Sequence, residues 1–196
     1  MILDLTIKKN NIDNDFNRIA FDLMNNWMFK IESKLYRICE IEFYLKSESH
    51  NDTYTHGHKL QKEKERWYFH SSGIDITFGE NGFYGGILIR AIYDIKENQY
   101  TYGPLNCVTE LFSNINNIYN SNISFGLVSS KESNIKIETP IAAPRVGLNP
   151  QKDKAKYEAF YRFLIMPEQK HAEKTKIAEG MKQQKYSEDE IKNIWR

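Results

Sequence analysis

The sequence predicts an α+β fold, one domain built on a curved, mainly antiparallel β-sheet flanked by helices. Three observations carry that expectation. Side chains alternate between apolar and polar along Ile38 to Leu45, the period of a strand with one buried face. The strand-like runs Gly73 to Phe78 and Tyr84 to Tyr93 are joined by Gly79-Glu80-Asn81-Gly82, a turn sequence that folds them into a hairpin. Asp13 to Lys30 places Phe16, Ile19, Ala20, Leu23, Trp27 and Met28 at helical spacing behind an N-cap at Asp13 or Asn14, which makes a core-facing amphipathic helix.

The remaining elements follow in chain order. Leu35 to Leu45 is a strand, and the polar stretch Lys46 to Asp52 is a loop, beside which sites are commonly built. Arg66-Trp67-Tyr68-Phe69-His70 is an aromatic strand. Gly103-Pro104 opens a helix carrying Leu105, Val108, Leu111 and Phe112. Asn114 to Ser124 reads as a loop or a short helix, followed by strand-like Ile123 to Val128 and Ile135 to Ile137. Pro140 and Pro144 hold Ile141-Ala142-Ala143 extended, with Arg145 and Gly147 at its exit. Tyr157 to Ile165 is a last apolar run. Beyond it, Ser187-Glu188-Asp189-Glu190 has capping-box spacing ahead of Ile191, Ile194 and Trp195. The expected organisation is therefore a domain over 1–166 and a charged helical tail over 167–196, a helix pair packed on the domain or peeling from it.

Size and charge narrow the function classes. With 196 residues, 40% apolar and 13% aromatic, the chain has enough apolar side chains for one sizeable core and requires no second domain. Its 27 Lys+Arg against 26 Asp+Glu leave a net charge of +1, so no global field draws nucleic acid and any basic surface is local. No run approaches a membrane-spanning length, and Asp4 interrupts the first apolar residues, so a soluble, unexported, cytoplasmic protein is expected. Cys39 and Cys107 read as reduced, packed thiols rather than a disulfide.

Few residue patterns carry chemistry. His50, His56, His58 and His70 cluster in sequence, and His56-Gly57-His58 with Asp52 upstream invites a metal. A third ligand at a diagnostic spacing is missing, so solvent-facing loop histidines are the expectation, with no metal and no cofactor. Gly82-Phe83-Tyr84-Gly85-Gly86 matches no phosphate-binding loop, and a nucleophile elbow is absent. A carboxylate among rings remains. Alternation places Glu40, Glu42 and Tyr44 on one face of their strand, with Ile41, Phe43 and Leu45 on the other. A solvent-exposed acidic face is the default reading of that pattern. Tyr44, His56, Trp67, Tyr68 and Phe69 offer a second one, a pocket that stacks an extruded base while an acid activates water.

Five segments in order extend the second reading: Glu40-Ile41-Glu42-Phe43-Tyr44-Leu45, Asp52-Thr53-Tyr54-Thr55-His56, Ile87-Leu88-Ile89-Arg90-Ala91-Ile92, Gly103-Pro104 and Ala143-Pro144-Arg145-Val146-Gly147. Together, over roughly 36–165, they resemble the motifs of the alkyladenine, or 3-methylpurine, DNA glycosylase family, of which this chain would be a divergent member. The resemblance implies base-excision repair, with metal-free hydrolysis of the N-glycosidic bond of alkylated purines in damaged DNA, by a monomer that needs no membrane. By the same resemblance, Glu42 is the general base for water and Arg90 lies beside it. Tyr44 stacks on one side of the extruded base, His56 and a strand aromatic line the other, and Arg145 contacts DNA.

Departures from the family pattern are as informative. Counting back from Arg90 without a gap puts Trp67 at the family's second stacking tyrosine, His70 at the tyrosine that wedges into the duplex, and Thr77 at its pocket asparagine. Trp67 still offers a π-face, whereas His70 is a poor apolar wedge. Asp75 is an additional acid, readable as a strand-edge carboxylate or as a pocket residue. Lys59, Lys62, Lys64 and Arg66 alternate with Glu63 and Glu65, a solvated face more readily than a phosphate clamp. Two other readings stay open: a non-catalytic nucleic-acid or small-ligand binding module on the same scaffold, and a hydrolase of single-stranded or free nucleoside substrates.

Overall fold

The computed structural model describes residues 2–115, 118–119, 122–131, 133 and 135–195. Its centre is a long strand, β2 (Lys34–Ser47), whose two edges are occupied along nearly their whole length. On one edge β2 pairs with β5 (Phe83–Asp94) from Tyr36 opposite Asp94 to Ser47 opposite Phe83. On the other edge it pairs first with β1 (Trp27–Ile31) and then with β9 (Arg162–Leu164). Beyond β5 lie β4 (Gly73–Phe78) and β3 (Lys64–His70), with β6 (Gln99–Tyr102) beside the second half of β5. Strand β7 (Phe125–Ser129) extends the sheet past β1, and β8 (Ile141–Ala143) past β9. Every one of these pairings is antiparallel, and a register shift in β2 around Glu40 adds the local bend that helps the sheet curl into a half-barrel.

The concave apolar face wraps helix α1 (Ile12–Asn25). Phe16 of α1 stacks on Phe43 of β2 with centroids 4.2 Å apart, while Phe78 and Tyr161 meet Phe16 edge-on. The helix ends earlier than its spacing predicts and starts behind Asn11 rather than Asp13 or Asn14. Trp27 and Met28 fit a helical period, but sheet pairing wins. Phe29, one residue on, sits opposite Tyr36 on one side and Leu127 on the other. Cys39 and Cys107 are buried free thiols, and burial pushes Cys107 up to about 12.

Helix α2 (Pro104–Phe112) begins at the proline, as expected, and packs against β4, β5 and β6. The strand expected at Ile135 to Ile137 does not form, although the Lys136 carbonyl accepts a bond from Arg37. Part of the Asn114 to Ser124 segment lies outside the described residues. The run from Tyr157 to Ile165 divides between α3 (Lys154–Glu158), whose cap Asp153 accepts from the Lys156 amide, and β9.

The charged tail forms the expected helix pair, α4 (Lys174–Gln183) and α5 (Glu188–Ile194), the latter opened by a capping box of Ser187 and Glu190. It docks. Ile177, Met181 and Ile191 form a small apolar cluster with Ile141, Ala143 and Leu164 of β8 and β9. Among the described residues no helix is long and apolar enough to cross a membrane.

Gly180 lets α4 approach β8, because a Cβ there would run into the Ala142 carbonyl. Gly180→Val is therefore expected to lower stability by about 1–3 kcal/mol and to speed limited proteolysis within 167–196. Unchanged cleavage of the tail would show that docking does not depend on this approach.

Candidate functional site

The polar face of the sheet is not exposed. Glu40 and Glu42 are both completely buried, so the default reading of a solvated acidic strand face is overturned. Two like charges on one strand face are tolerated in a dry environment only if cations and donors surround them. Arg90 of β5 supplies the first. Its Nε donates to Glu40 Oε1 at 2.8 Å, and its Nη1 reaches Glu42 Oε2 at 3.4 Å. Arg162 of β9 donates to Glu40 Oε1 at 2.9 Å, and His171 Nδ1 lies 2.5 Å from Glu40 Oε2. Burial alone would raise the Glu40 carboxyl, but the His171 bond and the guanidinium groups of Arg162 and Arg90 outweigh it and hold the group at about 2. For Arg90, desolvation opposes the charge and the two carboxylates more than restore it, keeping the guanidinium protonated.

Glu42 is held differently. Oε1 accepts the backbone N–H of Val146 at 2.8 Å, and Oε2 accepts the Tyr44 hydroxyl at 2.8 Å as well as Arg90. Burial, followed by the Glu42 charge, pushes the Tyr44 phenol well above its ordinary value, so Tyr44 remains a donor. These three partners, Tyr44, Arg90 and Val146, line a cavity of about 420 Å³, and Glu42 lies directly behind them. His56, His70 and Asp75 line the cavity as well, with Leu88 and Pro104 supplying apolar surface. Burial, and then the neighbouring His70, pushes His56 below the ordinary histidine value, so its ring is neutral at pH 7.

The structure thus brings together Glu42, Arg90, Tyr44, His56 and His70. It does not bring Trp67, Thr77 or Arg145 to the cavity surface. Trp67 points to the opposite face of β3, its ring 4.8 Å from Phe29 and 5.0 Å from Phe125. Its neighbour Tyr68, opposite Asp75, is stacked on His58 at 4.5 Å with its hydroxyl 3.5 Å from His56 Nδ1. Thr77 is buried, its hydroxyl donating to the Glu63 carbonyl at 2.6 Å and accepting the Arg66 amide at 2.9 Å. The Trp67–Ile76 and Tyr68–Asp75 pairings turn Trp67 to the apolar face and Tyr68 to the face of Asp75, while the Thr77 hydroxyl is taken up by the β3 backbone at the register shift between Lys64 and Trp67.

Arg145, expected to contact DNA, has no exposed surface. Its guanidinium forks onto Asp52 at 2.7 and 3.1 Å and donates to the carbonyls of Phe43 and Lys156. It also covers one face of the Tyr44 ring at 4.5 Å. It is a positioning residue that ties the 144–152 loop and the 48–63 loop to β2. His50, by contrast, is remote from the other histidines of its sequence cluster and accepts from Lys156 Nζ at 3.1 Å. Among the described residues, no three His, Cys, Asp or Glu side chains gather as metal ligands.

Sequence reasoning left Asp75 open and missed Gln61, Arg162 and His171. A buried acid facing a cavity could have been flagged by the alternation of Asp75 with Ile74 and Ile76. Arg162 and His171 carry no local signal, because their partner Glu40 is 122 and 131 residues away.

No protein-family model matches the chain. An uncharacterized protein of Acanthamoeba polyphaga mimivirus is 28% identical to it over 201 residues, spanning 84% of this chain and 92% of that protein.

Replacing Glu40 by Gln leaves Arg90, Arg162 and His171 without their shared counter-charge and is expected to destabilise the fold by about 3–5 kcal/mol. The folded carboxyl, at about 2, lies below the ordinary 4.5. Its contribution is therefore complete above about 4.5 and is lost as pH falls toward about 2. Urea unfolding of both proteins between pH 7 and pH 3 checks this, the difference between them narrowing on the acid side. A constant difference would mean that the charge of Glu40 is not what stabilises.

Proposed function

We propose that the protein is a DNA glycosylase-like hydrolase that removes alkylated purines by attack of a water activated by Glu42. One observation carries the reading: a fully buried carboxylate is held by Arg90, Tyr44 and the Val146 amide at the back of a cavity lined by rings. A carboxylate accepts about four hydrogen bonds, and Glu42 uses three, so it has capacity left for a water. The water oxygen bonds to C1′, its proton goes to Glu42, and the glycosidic electron pair leaves with the base, neutralising an alkylated purine cation. Positive charge that builds on the sugar is stabilised by the same carboxylate. The rings of Tyr44 and His56, which line the cavity, supply stacking surface for the extruded base. No metal is called on in any of these steps.

A second feature bears on the form of the substrate. His70, at the family's wedge position, is turned inward and bonded to Asp75 at 3.0 Å rather than projecting. A duplex must be opened at a cost of a few kcal/mol, and a protein without a wedge acts more readily on an unpaired base. Single-stranded alkylated DNA is accordingly the preferred form, over duplex and over the free nucleoside, which lacks phosphate contacts. Damaged DNA is the partner in this reading, and a monomer in the cytoplasm suffices.

Glu42→Gln is expected to reduce release of alkylated purines at least a hundredfold, consistent with loss of a general base, while leaving binding of alkylated single strands within a few-fold. Chromatographic detection of free bases, with duplex, single-stranded and nucleoside substrates compared side by side, makes the measurement. Equal release by both proteins removes Glu42 from the mechanism. Binding that steepens as salt falls would support phosphate contacts, and salt-independent binding without base release would favour a small-ligand binding module instead.

A further inference from the structure

The cavity contains a second anionic group that the proposed hydrolysis does not use. Asp75 of β4 is buried, yet it lines the cavity. Its Oδ1 lies 3.0 Å from His70 Nε2, and its Oδ2 accepts from Gln61 Nε2 at 3.3 Å. Both partners are oriented by further hydrogen bonds. The Ser72 amide donates to His70 Nδ1 at 3.2 Å, which assigns the ring hydrogen to Nε2 and directs it at Asp75. Gln61 is oriented in turn by its Oε1, which accepts the His58 amide at 3.2 Å and leaves the NH₂ group for Asp75. Gly86 makes room for this arrangement, since a Cβ there would sit 2.5 Å from Asp75 Oδ2 and 2.8 Å from Gln61 Nε2. Two of the roughly four acceptor positions of the carboxylate remain for a ligand, and no arginine or lysine bonds to it among the described residues.

Its placement relative to Glu42 follows from strand register. Asp75 is opposite Leu88, and Leu88 is opposite Glu42, so the three form one row across β4, β5 and β2. Strands lie about 4.8 Å apart, which puts the two carboxylate-bearing positions roughly 10 Å from each other on one sheet face, with the Leu88 side chain between them. A purine whose anomeric carbon is presented to Glu42 therefore extends its far, Watson–Crick edge toward Asp75.

We infer that Asp75 is a specificity-determining residue that makes this pocket select guanine-type over adenine-type alkylated bases. The inference rests on the hydrolase reading above and adds the substrate class. On a guanine the far edge presents two adjacent donors, N1–H and the N2 amine, which match the two oxygens of one carboxylate. An adenine edge presents one donor beside the N1 lone pair, and that lone pair faces a carboxylate with repulsion. A site built with buried acceptors discriminates strongly against an analogue that leaves them unpaired.

The test is competitive release of 7-methylguanine and 3-methyladenine from the same methylated single-stranded DNA, each rate divided by its spontaneous loss. The wild-type protein is expected to favour 7-methylguanine about ten- to a hundredfold, in line with one bidentate base contact. Asp75→Asn, which offers one acceptor and one donor, is expected to cut that ratio at least tenfold and shift it toward 3-methyladenine. Thermal unfolding confirms that the variant is folded. Equal or reversed preference in the wild type, or an unchanged ratio in a folded Asp75→Asn, overturns the inference and leaves the hydrolase reading standing. If neither base is released, the hydrolase reading fails instead. Calorimetric titration with free 7-methylguanine then decides the role of Asp75: tighter binding than 3-methyladenine, lost in the variant, supports it, and equal binding overturns it.

Discussion

Burying two carboxylates two residues apart on one strand face is the constraint around which this molecule is arranged. Glu40 and Glu42 cannot share a dry environment unless opposite charge is brought to them. Arg90 satisfies part of the need from the neighbouring strand, bridging both side chains. The remainder comes from far along the chain. Arg162 and His171 converge on Glu40, so the C-terminal third folds back onto the strand that holds the proposed base. Arg162 also reaches the Ala172 carbonyl, which ties the segment entering α4 to the same cluster. The tail is thus anchored at its start by buried polar contacts and along α4 and α5 by an apolar cluster.

A second buried pair does for the loops what the first does for the sheet. Arg145 and Asp52 hold the two loops that flank the cavity against each other, and the Phe43 carbonyl ties both to β2. Lys176 of α4 closes the arrangement by donating to the Arg145 carbonyl at 2.7 Å. Val146, whose amide holds Glu42, immediately follows Arg145, so the clamp fixes a hydrogen-bond donor as well as a ring. Preorganisation of this kind matters because a misplacement of about 1 Å can cost on the order of a hundredfold in rate. Glu40 and Arg145 need not touch a substrate to govern how well Glu42 is aimed.

What could be read from the residues divides along sequence separation. Alternation in β2, β4 and β5 is local, and it placed Glu42 and Tyr44 on one face and Phe43 on the other without reference to anything distant. Pro104 marked the start of α2, and Ser187 with Glu190 marked α5, because caps are also local. Trp27 and Met28 went to the wrong element since their helical spacing was real, but sheet pairing overrides it, Trp27 with Ser129 and Met28 with Arg37 and Val128. Trp67 and Thr77 were assigned to the cavity by counting, but cross-strand pairing sets Trp67 opposite the apolar Ile76 and Tyr68 opposite Asp75. Arg145 was expected to contact DNA, and the partner that buries it, Asp52, is 93 residues away. Burial of a charge is a property of the assembled fold, and no pattern within one segment announces it.

The proposed pocket divides binding from catalysis between two carboxylates that sit in one row. Glu42 faces charge that does not exist in the bound ground state and grows as the glycosidic bond breaks, so its contribution is concentrated in the transition state and falls on kcat. Asp75 faces the far edge of the base, where the donors it accepts are present before, during and after cleavage. An interaction of constant strength adds to affinity and leaves the chemical step alone, so it belongs to KM and to the choice between substrates. Leu88 keeps the two acids each a strand spacing from a common neighbour, so the proposed base recognition and the proposed hydrolysis fall on one sheet face.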